Sequence, residues 1–361
     1  MDDVDKIINF YKGKTILITG HTGFKGSWLS KMLIMFGANV VGYSLEPQTE
    51  PSLFSILGLP DDMTSIIGDI RDYDKLKSVF DSFKPDIVFH LAAQPIVRES
   101  YRYPKYTYDV NVLGTVNICE CIRTTECVKS FLNVTTDKVY ENNDDKNHPF
   151  IEDEKLDGFD PYSNSKSCSE LVTHSYYRSF FKVQNIATST ARAGNVIGGG
   201  DFAIDRIIPD CYRSIKNNST LIIRNPNSIR PYQHVLEPLF CYLVLAKKQY
   251  KDNNYCGSYN IGPDIEDTLT TEKLVKMFFE KFPHASYLCC TDYQGPHEAS
   301  LLMLNNSKIK KTLGWKPHLS LLEAVSLTSD WYNKYLLQFD MKKVTEDQIK
   351  YFLELINGKT I

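Results

Sequence analysis

No stretch of the 361-residue chain approaches the ~18 uninterrupted apolar residues that a bilayer-crossing helix needs, which argues against a membrane-embedded protein. The first residues, Met1-Asp2-Asp3-Val4-Asp5-Lys6, lack the basic start and apolar run of an export leader, so the cytoplasm is the expected compartment. There is no long cationic run, and the net charge is −3; nucleic acid and anionic membrane surfaces are therefore not expected as partners. Cys-x-x-Cys spacing is absent. The nine cysteines are odd in number and scattered, with only Cys119/Cys121 and Cys289/Cys290 close together, so they are expected to be reduced thiols rather than a disulfide framework or a metal site. Internal repeats and low-complexity tracts are missing too.

What is present is an ordinary globular composition, 42% hydrophobic and 24% charged, in a chain longer than one typical domain. Lys14 to Thr19 is a buried-strand run that flows directly into Gly20-His-Thr-Gly23-Phe-Lys-Gly26. Leu29, Met32, Leu33 and Phe36 then recur at helical spacing. A strand, a glycine-rich turn and a helix together make a dinucleotide site: the glycines allow close backbone approach, and the helix N-terminus offers free N–H groups to a pyrophosphate. Gly20, Thr22, Gly23, Phe24, Lys25 and Gly26 are the candidates there.

The second strand, Asn39 to Tyr43, should end in an acid for the adenosine ribose. Here stand Tyr43, Ser44 and Leu45, with Glu46 just beyond, and no arginine awaits a 2′-phosphate; NAD is therefore favoured, although its usual carboxylate is missing or displaced. A third strand ends at Asp69 and Ile70, placed to meet adenine. The fourth ends in Leu91, Ala92 and Ala93, followed by Gln94. A long helix through 106–124 carries Asn111. The series predicts an α/β fold: a Rossmann-like doubly wound parallel sheet over residues 1–200, then a smaller, mostly C-terminal substrate-binding lobe over 201–361, some of whose segments return to the sheet domain.

Chemistry concentrates at the end of the fifth strand, where Thr136 is followed by an acid and a base, Asp137 and Lys138. Tyr162 and Lys166 follow at i,i+4. The same Tyr-x-x-x-Lys spacing recurs at Tyr73/Lys77, Tyr101/Lys105 and Tyr212/Lys216, so spacing alone singles out nothing. Asp160-Pro161 before Tyr162 reads as a helix start, which puts Tyr162 and Lys166 on one face. A lysine cation beside a phenol is expected to lower the tyrosine's pKa. The stretch from Arg192 to Asp201, rich in glycine, is expected to be a flexible loop. Gln94, Asn195, Arg206, Arg230, Gln233 and His234 are the candidates for holding substrate.

These residues resemble the CDP-glucose 4,6-dehydratases, nucleotide-sugar enzymes of the extended short-chain dehydrogenase/reductase superfamily. The likeness lies in GKTILITGHTGFKGSWL (13–29), HLAAQPIVRESY (90–101), TTDKVYEN (135–142), DPYSNSK (160–166), ARAGNVIGGGDF (191–202), RPYQHVLEPL (230–239) and PHEASLL (296–302). Lys138 is the distinguishing residue: most related dehydratases resemble one another in having Asp-Glu, and the CDP-glucose branch has Asp-Lys. Ala193 and Phe202 depart from it, where proline and tryptophan would be expected. The resemblance implies NAD as cofactor, a CDP-sugar substrate, and a cycle of C4 oxidation, loss of water across C5 and C6, and reduction at C6. In that cycle Tyr162 acts at the 4-hydroxyl, Lys138 at C5 and Asp137 at the 6-hydroxyl, with Thr136 on the 4-oxygen. It also implies a homodimer or homotetramer pairing through helices near 106–124 and 162–181. A dehydratase or epimerase for another nucleotide sugar, and a non-catalytic dinucleotide-binding regulatory protein, remain as alternatives.

Overall fold

Ile16 and Ile18 of the first strand, β1 (Thr15–Thr19), pack into one apolar cluster while Leu17 between them packs into another. Covering on both faces is why the strand is apolar at consecutive positions rather than alternating. The computed structural model describes residues 4–142, 148–264, 267–290 and 302–358. The same division recurs in β2 (Asn39–Ser44), where Val40 and Val41 face opposite clusters, and in β4 (Ile87–His90), where Val88 faces away from Ile87 and Phe89. With β3 (Thr64–Ile67), β5 (Ser130–Thr136), β6 (Ala187–Ala193) and β7 (Gly257–Ile261) they form one seven-stranded parallel sheet, ordered β7-β6-β5-β4-β1-β2-β3. The strand order reverses between β1 and β4, so a crevice opens at their carboxyl ends, the place where open α/β sheets bind ligands. The doubly wound fold expected from the sequence is the fold observed.

Helices cover both faces. On one side lie α1 (Phe24–Met35), through Trp28, Leu29, Met32 and Leu33, and the late helix α5 (Leu236–Lys251). Residues Leu236 to Ala246 are all buried, so α5 is a core helix that meets solvent only in its last turn. Its Gln249 Nε2 bonds the Phe131 carbonyl oxygen of β5 at 3.0 Å, which fixes the helix to the sheet interior. The other side carries α2 (Tyr73–Phe83) and α3 (Gly114–Arg123). The long helix expected from 106 to 124 runs from Pro104 to Arg123, with a π-helical segment at Asp109–Leu113 that contains Asn111. Such widened turns gather at functional sites.

The chain beyond Asp201 adds the helices Ile207–Lys216, Thr271–Phe279, Ser307–Leu313, Leu321–Leu336 and Met341–Ile356 beside the crevice. One expectation is corrected here. The glycine-rich stretch ending at Asp201 is no flexible loop: residues 197–201 are buried, and Val196–Ile197 pairs in parallel with Gln233–His234. A Cβ at Gly199 would lie 1.9 Å from Trp331 Cγ, and the Gly199 carbonyl accepts the Trp28 indole N–H at 3.0 Å. The glycines let two tryptophans close on the backbone. Residues 296–301 of the PHEASLL segment lie outside the described residues.

Candidate active site

At the end of β1 the chain turns through Gly20 with φ +77°, a conformation costly for any residue with a Cβ. A Cβ there would also lie 2.8 Å from the Ala92 backbone nitrogen, and one at Gly26 would lie 2.1 Å from the Gly20 carbonyl oxygen. Turn, β4 end and α1 are thus packed at backbone distance. Gly23 caps α1 without a side-chain bond, which leaves the first-turn N–H groups and the positive end of the helix dipole facing the crevice. This cradle fits a pyrophosphate.

Beside it, Thr22 Oγ1 donates to the Leu45 carbonyl at 2.8 Å and lies 3.0 Å from Ser44 Oγ, so hydroxyls stand where an acid was expected. The Asp69 carboxylate is gripped by Arg71, whose guanidinium holds it below the usual carboxylate range. Ile70 packs against Gly114. The Leu91 and Ala92 N–H groups each donate to Thr19 Oγ1 at 3.2 Å. His21, down to about 4 through burial, is neutral and bonds Ser65 Oγ at 2.7 Å.

β5 delivers Thr136 to the crevice, and a tight turn over Asp137–Val139 presents the acid and the base. Asp137 Oδ1 accepts from Thr136 Oγ1 at 2.9 Å and from Lys138 Nζ at 3.2 Å. The Asp137 side chain is 1% exposed against 27% for Lys138, so the carboxyl is enclosed while the amine reaches toward the cleft. Asp137 Oδ2 has no hydrogen-bond partner among the described residues and lies beside Gly194.

The helix bearing the tyrosine, α4 (Pro161–Tyr176), starts as the sequence indicates: Asp160 accepts from the Ser163 N–H at 3.0 Å and Pro161 takes the first helical position. Tyr162 hydrogen-bonds Thr136, which joins the phenol to the acid–base pair. Its pKa does not fall as expected. Burial pushes the phenol up to about 12, and the Thr136 bond only partly opposes this. Lys166 points its ammonium at the Val134 carbonyl, 3.2 Å away, and is itself pushed down to about 8 by burial. Lys25 also falls to about 8, from burial and then from repulsion by Arg206 and Lys166, with Asp137 opposing. That mutual influence places Lys25 in the same cleft.

The substrate candidates divide. Arg206 pairs with Asp201 at 3.0 Å, and its charge acts on Tyr162, so it belongs to the site. Asn195 accepts the Gln233 N–H at 3.1 Å through its carbonyl, one residue from the glycine beside Asp137. Arg230 is buried and donates to the Ile229 carbonyl at 3.1 Å. The other three bond or pack within the scaffold, although Gln233 Oε1 and His234 Nε2 are buried without a hydrogen-bond partner among the described residues. Gln94 donates to Thr107 at 2.8 Å and accepts from the Ile96 N–H at 2.6 Å; Gln233 donates to the Ile261 carbonyl at 3.1 Å. His234 is fully buried, lowered to about 3 by burial, and edge-on to Trp28.

Sequence reasoning missed the support beneath the pair. Glu170 on α4 and Arg192 on β6 form a bidentate ion pair, 2.9 and 2.8 Å, that is 0% and 1% exposed. Glu170 also accepts from Thr135 at 2.5 Å and Thr190 at 2.7 Å, while Arg192 donates to the Tyr140 hydroxyl at 2.7 Å. Thr135 and Tyr140, on either side of the acid–base turn, are thereby fixed. An arginine inside the otherwise uncharged, small-residue run of β6 was the available signal.

Comparison with known proteins agrees with this geometry. The family profile described as GDP-mannose 4,6 dehydratase matches residues 17–328. The chain is 46% identical over 357 residues to the CDP-glucose 4,6-dehydratase of Salmonella typhimurium, covering 97% of this chain and 98% of that one. Among solved structures, UDP-glucose 4-epimerase of Thermotoga maritima superposes with a TM-score of 0.77 at 23% identity, covering 89% of this chain and 99% of that one. The dTDP-glucose 4,6-dehydratase of Bacillus anthracis, in complex with NAD, gives 0.74 at 20% identity over 92% of this chain and 100% of that one.

Proposed function

Because the chain belongs to the GDP-mannose 4,6 dehydratase family, we propose that it is an NAD-dependent nucleotide-sugar 4,6-dehydratase whose substrate is CDP-glucose and whose product is the CDP-4-keto-6-deoxy sugar. The observation that carries this reading is the Asp137–Lys138 contact of 3.2 Å at the carboxyl end of β5, joined through Thr136 to Tyr162. An acid and a base side by side, linked through one hydroxyl to a tyrosine, are the groups that removal of water beside a carbonyl requires. The cytidine and glucose assignments rest on the 46% identical relative and on lysine at position 138.

NAD, when bound, supplies a reversible two-electron acceptor; the Gly20–Gly26 turn and the open start of α1 would hold its pyrophosphate, with Asp69 and Ile70 toward adenine. Tyr162, in the phenolate form that Arg206 and the Thr136 bond favour against burial, takes the proton of the 4-hydroxyl, and Thr136 hydrogen-bonds the resulting 4-oxygen. A ketone at C4 acidifies the hydrogen on C5. Lys138, as the free amine, removes that proton, while Asp137, as the carboxylic acid, protonates the departing 6-hydroxyl. This form of the pair is the ion pair with one proton moved across the 3.2 Å contact, so total charge is unchanged. Lys166 and Arg206 supply positive charge around Tyr162 and the substrate diphosphate.

Residues 1–200 are read as the cofactor domain and 201–361 as predominantly the substrate lobe, with α5 and β7 returning to the sheet. Exposed Leu113 and Leu171, 54% and 50%, support pairing of subunits through the helices that bear them. Nine free thiols support a reducing, cytoplasmic setting.

Incubation with CDP-glucose and NAD tests the reading: loss of one water from the sugar nucleotide by mass spectrometry supports it, and unchanged mass, the epimerase result, overturns it. Lys138→Met should lower turnover by at least about 100-fold, the usual contribution of a positioned base. Near wild-type turnover would remove Lys138 from its role. Asp137→Asn should slow water loss while leaving C4 oxidation measurable by stopped-flow absorbance.

A further inference from the structure

We propose that His90 is a positioning residue that couples the dinucleotide-binding turn to the helix of Tyr162 through one directed chain of hydrogen bonds. His90 ends β4 at the centre of the sheet, 1% exposed, and the proton transfers above make no use of it.

The direction of the chain follows from counting donors. Thr115 Oγ1 gives its proton to the Asn111 carbonyl, so it accepts from His90 Nε2; Thr19 Oγ1, which takes the Ala92 N–H and shares the Leu91 N–H with its own carbonyl, then sends its proton to His90 Nδ1, 2.7 Å away. Nδ1 is therefore the acceptor nitrogen, and Nε2 carries the hydrogen. Nε2–H donates to Thr115 Oγ1 at 3.2 Å, and Thr115 donates onward to the Asn111 carbonyl at 2.7 Å. Burial, with Lys166 adding to it, holds the imidazole near 3 and so neutral, which is the form this pattern needs.

Each end of the chain touches a part of the site. At one end, the Thr19 hydroxyl ties β1 to the residues after β4 immediately before Gly20, where Ala92 stands against the turn. At the other, Asn111 Oδ1 accepts the Gln94 N–H at 2.8 Å, and its amide donates to Ser165 Oγ at 2.9 Å. Ser165 donates to the Tyr162 carbonyl at 2.7 Å. A brace runs alongside: Ser169 Oγ lies 2.9 Å from Thr115 Oγ1 and accepts from Asn133 at 2.9 Å, which locks α4 to β5. The neutral imidazole is the bridge between the dinucleotide side of the crevice and the tyrosine side. Reversing its tautomer would set two hydrogens against each other at Thr19.

Two measurements test this. Nitrogen-15 NMR of histidine-labelled protein at neutral pH should find His90 in the Nε2–H tautomer; an Nδ1–H tautomer or an imidazolium overturns the assignment. Thr115→Val removes the link at a fully buried residue that is not among those assigned to coenzyme or sugar. Its dissociation constant for NAD, by fluorescence titration on protein shown folded by circular dichroism, should rise about fivefold, the equivalent of one net hydrogen bond. Thr115→Ser should return it to within about twofold of wild type, because the hydroxyl is restored. A Thr115→Val protein that melts lower but binds NAD with wild-type affinity would make the chain purely structural and sink the proposal. If that variant does not fold, His90→Asn, which can still accept from Thr19 but is too short for Thr115, takes its place: raised dissociation supports, wild-type affinity overturns. The inference rests on reading the glycine turn as an NAD site; failure of the wild type itself to bind NAD would count against that reading, whereas the tautomer reports on His90 alone.

Discussion

Lys166 holds an ammonium in a space that disfavours it, and this has a measurable cost. Its folded pKa, about 8, lies below the ordinary lysine value of 10.5, so between those values the unfolded chain binds the extra proton and folding becomes more favourable as pH rises. Comparing the wild type with Lys166→Met cancels most other titrations. The wild type should gain about 2 kcal/mol relative to the variant between about pH 7 and 9.5, measured by urea unfolding at each pH. A flat difference would mean that the amine is solvated. At this scale the sequence was legible where a local rule applied: Asp160-Pro161 marked the helix start that sets Tyr162 beside Thr136. The direction of the Tyr162 shift was not legible, because it depends on what covers the phenol. Glu170 and Arg192 were invisible as a pair for a related reason, since 22 residues and a strand crossing separate them.

Among the elements, α1 carries its function in its first turn, where Gly26 faces the Gly20 carbonyl. Gly26→Ala forces a Cβ to within 2.1 Å of that oxygen, and backbone cannot move aside as a flexible side chain does. The helix start must tilt away from the turn. NAD affinity should fall at least about tenfold, by fluorescence titration, while the far-UV circular dichroism of the variant stays that of a folded α/β protein. Strand, turn and helix were legible here because each obeys its own short-range rule. The run through Gly198–Gly200 was misread for want of such a rule: glycine serves mobility and close packing alike, and only Trp28 and Trp331, at opposite ends of the chain, decide between them. α4 escaped periodicity altogether, since its buried face is built of Ser163, Ser165, Ser167, Ser169 and Thr173 rather than an apolar stripe. Hydroxyl side chains of this size let it approach β5 closely and supply the bonds that hold it.

In the whole molecule, the Glu170–Arg192 pair ties four separate parts of the chain to one another. Through Thr135 and Thr190 it reaches the central strands, through Tyr140 the turn after the catalytic pair, and through the Tyr140–Asn260 bond of 2.6 Å it reaches β7. Glu170→Gln should destabilise the protein by about 3–5 kcal/mol in urea unfolding, the effect of stranding a buried guanidinium; exposed ion pairs contribute a fraction of that. An effect below about 1 kcal/mol would mean that water reaches Arg192.

The two indoles that grip Gly199 carry a consequence for how the enzyme is made. Trp28 leaves the ribosome early, whereas Trp331 emerges some three hundred residues later, in the helix Leu321–Leu336. The nascent protein can assemble its early strands during synthesis, but the segment leading to Arg206 has its second wall only after Trp331 has emerged. The backbone beside Arg206 thus waits for a side chain made long after it.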